Sequence, residues 1–329
     1  MRGVLGLPLA VLSRLRRIAY ERGLCPVQRL RGPVISVGNL AVGGRGKTPV
    51  VARVCALVRE EGRAVAVLSR GYGGAFRGHC LLVSDGQRVT ASFEEAGDEP
   101  VMLARQLPGV IVGVGRRRAR VGRALEERFG PLVHVLDDGF QHLPLHRDLD
   151  LVCLHARDLA GTTLPGGRLR EPLCALERAD LVLVAGLDGQ SASLGELVGR
   201  ERILRLGRKV LGFAARGGGR APAPRRPFLL AAIAEPDRFL ADVKVHVEEI
   251  AGTAFFRDHH AFTSAELEAM SRRAREERAD AVVTTEKDEV RLPEGFDPGL
   301  PLRVLRIAAD IENEGVLREH IRAVLGRAA

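Results

Sequence analysis

The hexapeptide Gly43-Gly44-Arg45-Gly46-Lys47-Thr48 follows an apolar run, Val34-Ile35-Ser36-Val37, and opens a stretch of helical character. A glycine-rich turn between a strand and a helix lets successive backbone N–H groups point at phosphate oxygens, and the helix N-terminus adds positive potential. In that setting Gly43, Gly44, Arg45 and Gly46 form the cradle, Lys47 reaches the β- and γ-phosphates of ATP, and the Thr48 hydroxyl completes a Mg²⁺ site. Ala41 stands where the strict form of this loop has its first glycine. The alternative is a glycine turn with an incidental lysine. The strand before it and the helix after it weigh against that reading.

Three further strings carry groups that act in phosphoryl transfer. Val133-His134-Val135-Leu136 reads as a buried strand and ends in Asp137-Asp138. Alone, two acids before Gly139 read as turn residues. Beside a phosphate loop, carboxylates at the end of a neighbouring parallel strand read as Mg²⁺ ligands. In Gly97-Asp98-Glu99-Pro100, Asp98 reads either as a helix N-cap with proline early in the helix or as the base that takes the proton of an acceptor hydroxyl. Asp258-His259-His260 reads either as a solvated loop or as an acid/base partner contributed from a second domain.

The elements that must hold these groups alternate. Strand-like runs at Val34–Val37, Ala64–Leu68, Val110–Val114, Val133–Leu136, Leu149–Leu154 and Asp180–Val184 are interleaved with helical stretches at Thr48–Glu60, Glu99–Gln106 and Arg117–Glu127. This pattern predicts an α/β fold with a mostly parallel sheet and helices on both faces. Gly217-Gly218-Gly219-Arg220-Ala221-Pro222-Ala223-Pro224 reads as a linker. The expected organisation is an N-terminal helical region at 1–30, a nucleotide domain at 31–208, a linker at 209–226 and a smaller α/β domain at 227–329. The last helix of that domain is expected to pack back on the first.

Composition narrows the partners. The chain of 329 residues has no tryptophan and 4% aromatic residues, which argues against a nucleic-acid surface built on base stacking. A net charge of +9 fits an anionic partner, or simply an arginine-rich chain. Lysine occurs only at Lys47, Lys209, Lys244 and Lys287, and two of these lie inside motif-like strings. Five cysteines without a C-x-x-C pair argue against a disulfide or zinc scaffold. Val11, Leu15 and Ile18 fall at helical spacing opposite Arg14, Arg16 and Arg17. That segment reads equally as a basic amphipathic helix on an anionic membrane surface or as an ordinary helix packed on the domain.

Taken in order, VISVGNLAVGGRGKTP (Val34–Pro49), Ser69-Arg70-Gly71-Tyr72-Gly73, Gly97–Pro100, DDGFQH (Asp137–His142), Arg168-Leu169-Arg170-Glu171-Pro172, Asp258-His259-His260 and Thr284-Thr285-Glu286-Lys287-Asp288 closely resemble the tetraacyldisaccharide 4′-kinase family of lipid A biosynthesis. The resemblance implies ATP-dependent phosphorylation of the 4′-hydroxyl of a membrane glycolipid, a tetraacyldisaccharide 1-phosphate. It implies work at the cytoplasmic face of the bacterial inner membrane, as a peripheral protein; no obligate protein partner is evident in the sequence. By the same resemblance Asp98 is the base and His259 assists it. Lys47 and Thr48 serve the phosphates and Mg²⁺, and Asp137 and Asp138 serve the metal. Arg118, Arg170 and Glu171 match further active-site positions. Arg45 replaces a small polar residue usual in that loop, and Gly115-Arg116-Arg117-Arg118 lacks the acid that often precedes the arginine.

The rival reading is a P-loop ATPase or GTPase acting as a nucleotide switch or metallochaperone. The lysine that defines such dimeric ATPases would fall at Val42, and no guanine-selecting N/T-K-x-D string is present. A membrane-binding module would explain the N-terminal stripe and leave the nucleotide site unexplained.

Overall fold

The computed structural model describes residues 7–43, 46–187 and 191–327. The chain forms two compact units. One runs up to Arg208 and resumes at Ala309, and the other is Lys209–Ala308.

In the first unit, strands β1 (Val34–Asn39), β2 (Val65–Ser69), β3 (Leu81–Asp85), β4 (Ile111–Val114), β5 (Val133–Asp137), β6 (Leu149–His155), β7 (Leu181–Ala185) and the start of β8 (Ile203–Ala215) lie in the order β8-β7-β6-β1-β5-β2-β4-β3. These strands pair in parallel, except that β3 runs antiparallel to β4. The central strands are buried along their whole length, which is why they read as unbroken apolar runs. The edge strand β3 is half-exposed, and β8 alternates between buried and exposed positions. Strand β1 sits between β5 and β6, so the order reverses there. The crevice beyond the carboxyl ends of strands at such a reversal is where open α/β sheets bind ligands.

The helix Lys47–Glu60 leaves the end of β1 and buries Val50, Val51, Val54, Cys55, Leu57 and Val58. The helix Glu314–Arg327 returns to this unit. Its Glu314 accepts two 2.6 Å bonds from Arg53 of the Lys47–Glu60 helix, and its Arg318 donates to Glu60 at 2.6 Å. The helix Leu7–Glu21 leaves Val11 (52%), Leu12 (63%) and Leu15 (58%) open to solvent. Arg16 beside them reaches the Gln141 carbonyl at 3.4 Å.

In the second unit the order is β11 (Gly252–Phe255), β10 (Phe228–Ala231), β12 (Val282–Thr285), β13 (Leu302–Ile311), then the end of β8, with β9 (Arg220–Ala221) antiparallel to β8. Strands β11, β10, β12 and β13 pair in parallel. Phe228, Leu230, Leu267, Met270 and Val282 form one core cluster, and Phe213, Leu229, Ala231, Phe239 and Val283 another.

Two boundaries differ from the sequence expectation. The stretch 209–226 is not a plain linker: it carries the second half of β8, and its glycine run makes the turn to β9, with φ of 78°, 121° and 79° at Gly217, Gly218 and Gly219. Glycine adopts those angles without Cβ strain, which is why a hairpin here looks like a flexible string in sequence. The final helix packs back on the first unit, as expected, and so belongs with that unit rather than with 227–329, because its ion pairs and apolar face engage it.

Candidate active site

Strand β1 delivers the phosphate loop. The Asn39 side chain donates to the Ala41 carbonyl at 2.7 Å and turns the chain out of the sheet. Leu40 and Ala41 are fully buried, and Ala41 bridges Leu169. Arg170 N–H donates to the Leu40 carbonyl at 2.6 Å and Val42 N–H to the Arg168 carbonyl at 2.9 Å. The Arg168–Pro172 string is thus stitched alongside the loop, and Ala41 fills core where the strict motif has glycine. Gly43 (φ 99°) and Gly46 (φ 72°) take left-handed angles, and Gly46 caps the helix that begins at Lys47. Gly44 and Arg45 lie outside the described residues. Thr48, half-buried, is the second residue of that helix.

Strand β5 delivers the two acids, and their surroundings differ. Asp138 sits at φ 52° and receives Lys47 Nζ at 2.5 Å and Arg170 Nη1 at 3.0 and 2.8 Å. Burial raises its carboxyl, but Lys47 and Arg170 outweigh burial and hold it below the ordinary range. Asp137 is buried and accepts a 3.1 Å bond from the Ser69 hydroxyl. Burial, and then the neighbouring Glu99, push it up to about 7 against the opposing charge of Lys47. A carboxylate short of positive charge beside one already served by two cations suits a hard divalent ion. Mg²⁺ is commonly held by one or two carboxylates together with substrate phosphates and water.

Arg118 opens the helix Arg118–Phe129, is 6% exposed, and feels the charges of Asp137 and Asp138. Burial and then Arg70 push its guanidinium down to about 10, and among the described residues its Nε has no hydrogen-bond partner. His142 is held neutral by burial and by Arg118, Arg147, Arg16 and Arg70, with its ring pushed down to about 3.

Asp98 is positioned by backbone packing. A Cβ on Gly97 (φ 87°) would lie 2.3 Å from the Tyr72 carbonyl, and one on Gly71 would lie 2.4 Å from Val114 Cγ1. Ala75 and Phe76 N–H donate to the Glu94 and Glu95 carbonyls. The Ser69–Gly73 turn therefore presses main chain against main chain at the start of the helix Asp98–Gln106, and only glycine fits there. The N-cap is Gly97, not Asp98, and no side-chain cap bond is made. Asp98, 6% exposed, accepts the Glu99 N–H at 2.9 Å.

The chain also holds a residue that sequence reasoning missed. Arg178 donates to both oxygens of Glu171, at 2.8 and 2.9 Å, and to the Phe140 carbonyl at 3.2 Å, with its guanidinium 3.8 Å from the Phe140 ring centre. It fastens the turn carrying Arg170 to the turn carrying Asp138. Glu171, which the resemblance matches to an active-site position, has its carboxylate engaged in this fork. No motif marks Arg178, which lies seven residues beyond its acid.

His259 belongs to the second unit. Its φ is 62°, its N–H donates to the Ala232 carbonyl at 3.2 Å, and its ring meets Lys287.

Comparison with known proteins shows the family of the chain. The family model described as Tetraacyldisaccharide-1-P 4′-kinase matches residues 3–326. This chain belongs to the tetraacyldisaccharide 4′-kinase family. Among curated tetraacyldisaccharide 4′-kinases, that of Geobacter metallireducens is 44% identical over 296 residues, covering 88% of this chain and 87% of the relative. That of Anaeromyxobacter dehalogenans strain 2CP-C is 42% identical over 329 residues, covering 92% and 84%. The crystal structure of the family member LpxK from Aquifex aeolicus, in complex with ATP, superposes with a TM-score of 0.79 at 30% identity, covering 98% of this chain and 99% of that one. The strings that carry the 4′-kinase resemblance all fall inside the matched span.

Proposed function

We infer that this protein transfers the γ-phosphoryl group of ATP to the 4′-hydroxyl of a tetraacyldisaccharide 1-phosphate in lipid A biosynthesis. The observation that carries the inference is the meeting of Lys47, Arg170 and the Asp137–Asp138 pair at the mouth of the phosphate loop in a chain of this family. Gly43–Thr48 cradles the triphosphate, with Lys47 supplying a point charge to its β- and γ-phosphates. Asp137, Asp138 and Thr48 would hold Mg²⁺, which when bound would supply positive charge against the charge that develops in phosphoryl transfer. Asp98 takes the proton of the attacking hydroxyl and His259 assists it. Arg118 and Arg170 bring fixed positive charge to the phosphates, and Glu171 contributes through the turn that Arg178 fastens.

The substrate is a glycolipid, and none of the described helices is long and apolar enough to cross a membrane. We place the protein peripherally on the anionic cytoplasmic face of the inner membrane. The exposed Val11, Leu12 and Leu15 beside Arg14, Arg16 and Arg17 support that placement. Removing residues 1–20 then shifts the protein out of the membrane fraction and raises KM for lipid more than KM for ATP. An unchanged fraction rules out the helix as an anchor.

The test of the whole reading is ATP turnover with and without tetraacyldisaccharide 1-phosphate. Strong stimulation, with phosphate recovered on the sugar, is expected. Lipid-independent turnover would favour the nucleotide-switch alternative.

A further inference from the structure

The string Thr285-Glu286-Lys287-Asp288 lies in the second unit, and each of its side chains is committed. Thr285 caps the short helix Glu286–Arg291 by accepting the Asp288 N–H at 3.1 Å. Glu286 is buried and paired with Arg306 at 2.8 Å. Asp288, fully buried, accepts the Ala232 N–H at 3.1 Å and Arg291 Nη1 at 3.1 Å. The Ala232 carbonyl in turn accepts Arg291 Nη1 at 3.0 Å and the His259 N–H at 3.2 Å. Asp288 and Arg291 therefore fix the piece of main chain from which His259 hangs.

Lys287 acts on the ring itself. Its Nζ lies 2.9 Å from Asp258 Oδ1 and 3.0 Å from His259 Nε2, while Asp258 Oδ2 stands 3.6 Å from the same ring nitrogen. An ammonium has donors and no acceptor, so the neutral imidazole must offer Nε2 as the acceptor and carry its proton on Nδ1. Arg291 Nη2 is a donor too, but at 3.5 Å from Nδ1 it stands farther off than Lys287 at 3.0 Å, so the nearer ammonium decides which nitrogen accepts. His259 also holds a left-handed backbone angle, a strained state for a residue with a Cβ, and such strain persists only where surroundings impose it.

We propose that Lys287 is a positioning residue for the phosphoryl transfer: with Asp258 as its anchor, it sets the tautomer and orientation of the His259 ring. The proposal rests on the role given to His259 above.

The experiment measures kcat, KM for ATP and melting temperature for Lys287→Met, His259→Ala and the double variant, at saturating lipid. Lys287→Met keeps the aliphatic stem and should lose about 10-fold to 10²-fold in kcat, the range expected of a misaligned group, with KM for ATP unchanged. The double variant should be no slower than His259→Ala. Lys287→Arg, which keeps the cation, should recover part of the loss. If His259→Ala is slow while Lys287→Met turns over normally, Lys287 has no such role. If the Lys287→Met loss persists in full in the His259→Ala background, Lys287 acts elsewhere. His259→Ala at the wild-type rate would overturn both the role of the histidine and this proposal. One readout needs no variant: ¹⁵N spectra of the wild-type ring in its neutral form should show the proton on Nδ1, and an Nε2–H tautomer would overturn the assignment.

Discussion

Each unit presents, beyond the end of a parallel strand, a residue with a Cβ held in left-handed backbone and gripped by a lysine. In the first unit Lys47 grips Asp138 (φ 52°), and in the second Lys287 grips His259 (φ 62°). The likeness ends at the helices that supply the lysines. Lys47 opens a 14-residue helix with glycine at its cap, so backbone N–H groups and helix potential are free to serve an anion. Lys287 sits in a six-residue helix whose cap is closed by Thr285. Similar lysine grips thus serve different ends. One stands in a field built to bind charge, and the other in a frame built to aim a ring.

That contrast ranks the expected effects. Lys47→Ala removes a fixed charge from the transition state and should cost about 10²-fold to 10³-fold or more in kcat. A cost for Lys287→Met as large as that for Lys47→Ala would break the distinction between binding charge and aiming a ring. Asp98→Ala should lose about 10²-fold to 10⁴-fold in kcat with KM for ATP little changed. Its melting temperature should stay near that of the wild type, because the helix cap is Gly97. Since Asp98 and His259 are proposed to act together, their losses should not multiply, and multiplicative losses would separate them.

Arg178→Ala sharpens the same comparison from within the first unit. It unpairs buried Glu171 and frees the Arg170 turn from the Asp138 turn, and should cost about 3 kcal/mol of stability. Activity should fall with it, and denaturant melts alongside kcat will show whether both drop. The smallest effect concerns acid. The His142 ring is pushed down to about 3 in the fold, against about 6.5 in an unfolded chain. The unfolded chain therefore binds the extra proton between those values, so this residue makes stability rise with pH there and drains it as pH falls below about 6.5. Melting temperature should decline from pH 7 to pH 5, and His142→Gln should flatten that slope.

Much of the first unit could be read from sequence because its central strands are buried on both faces and interrupted by glycines with geometric duties. Val34–Asn39 followed by Gly43–Thr48 announces both a strand and a phosphate loop. Strand β8 escaped because its burial alternates along Ile203–Ala215 and it runs into Gly217–Gly219, which resembles a linker in any one-dimensional reading. Strands β3 and β11 escaped because they are half-buried edges with little apolar signal. The acids and lysines of the site were legible as residue types at motif spacing. The Arg178 fork was not, because one partner, Phe140, is 38 residues away and nothing local distinguishes this arginine from the many others. The bracket around His259 was visible only as a string with a lysine in an arginine-rich chain.

The ion pairs between Arg53, Glu60, Glu61 and the helix Glu314–Arg327 have a consequence for the order of synthesis. The phosphate-loop helix leaves the ribosome early, but the partners of its outer face are encoded after the entire second unit, Lys209–Ala308. During translation that face waits, exposed, while some 250 residues are added. The first unit of the molecule is therefore completed last, although its phosphate-loop helix is made early.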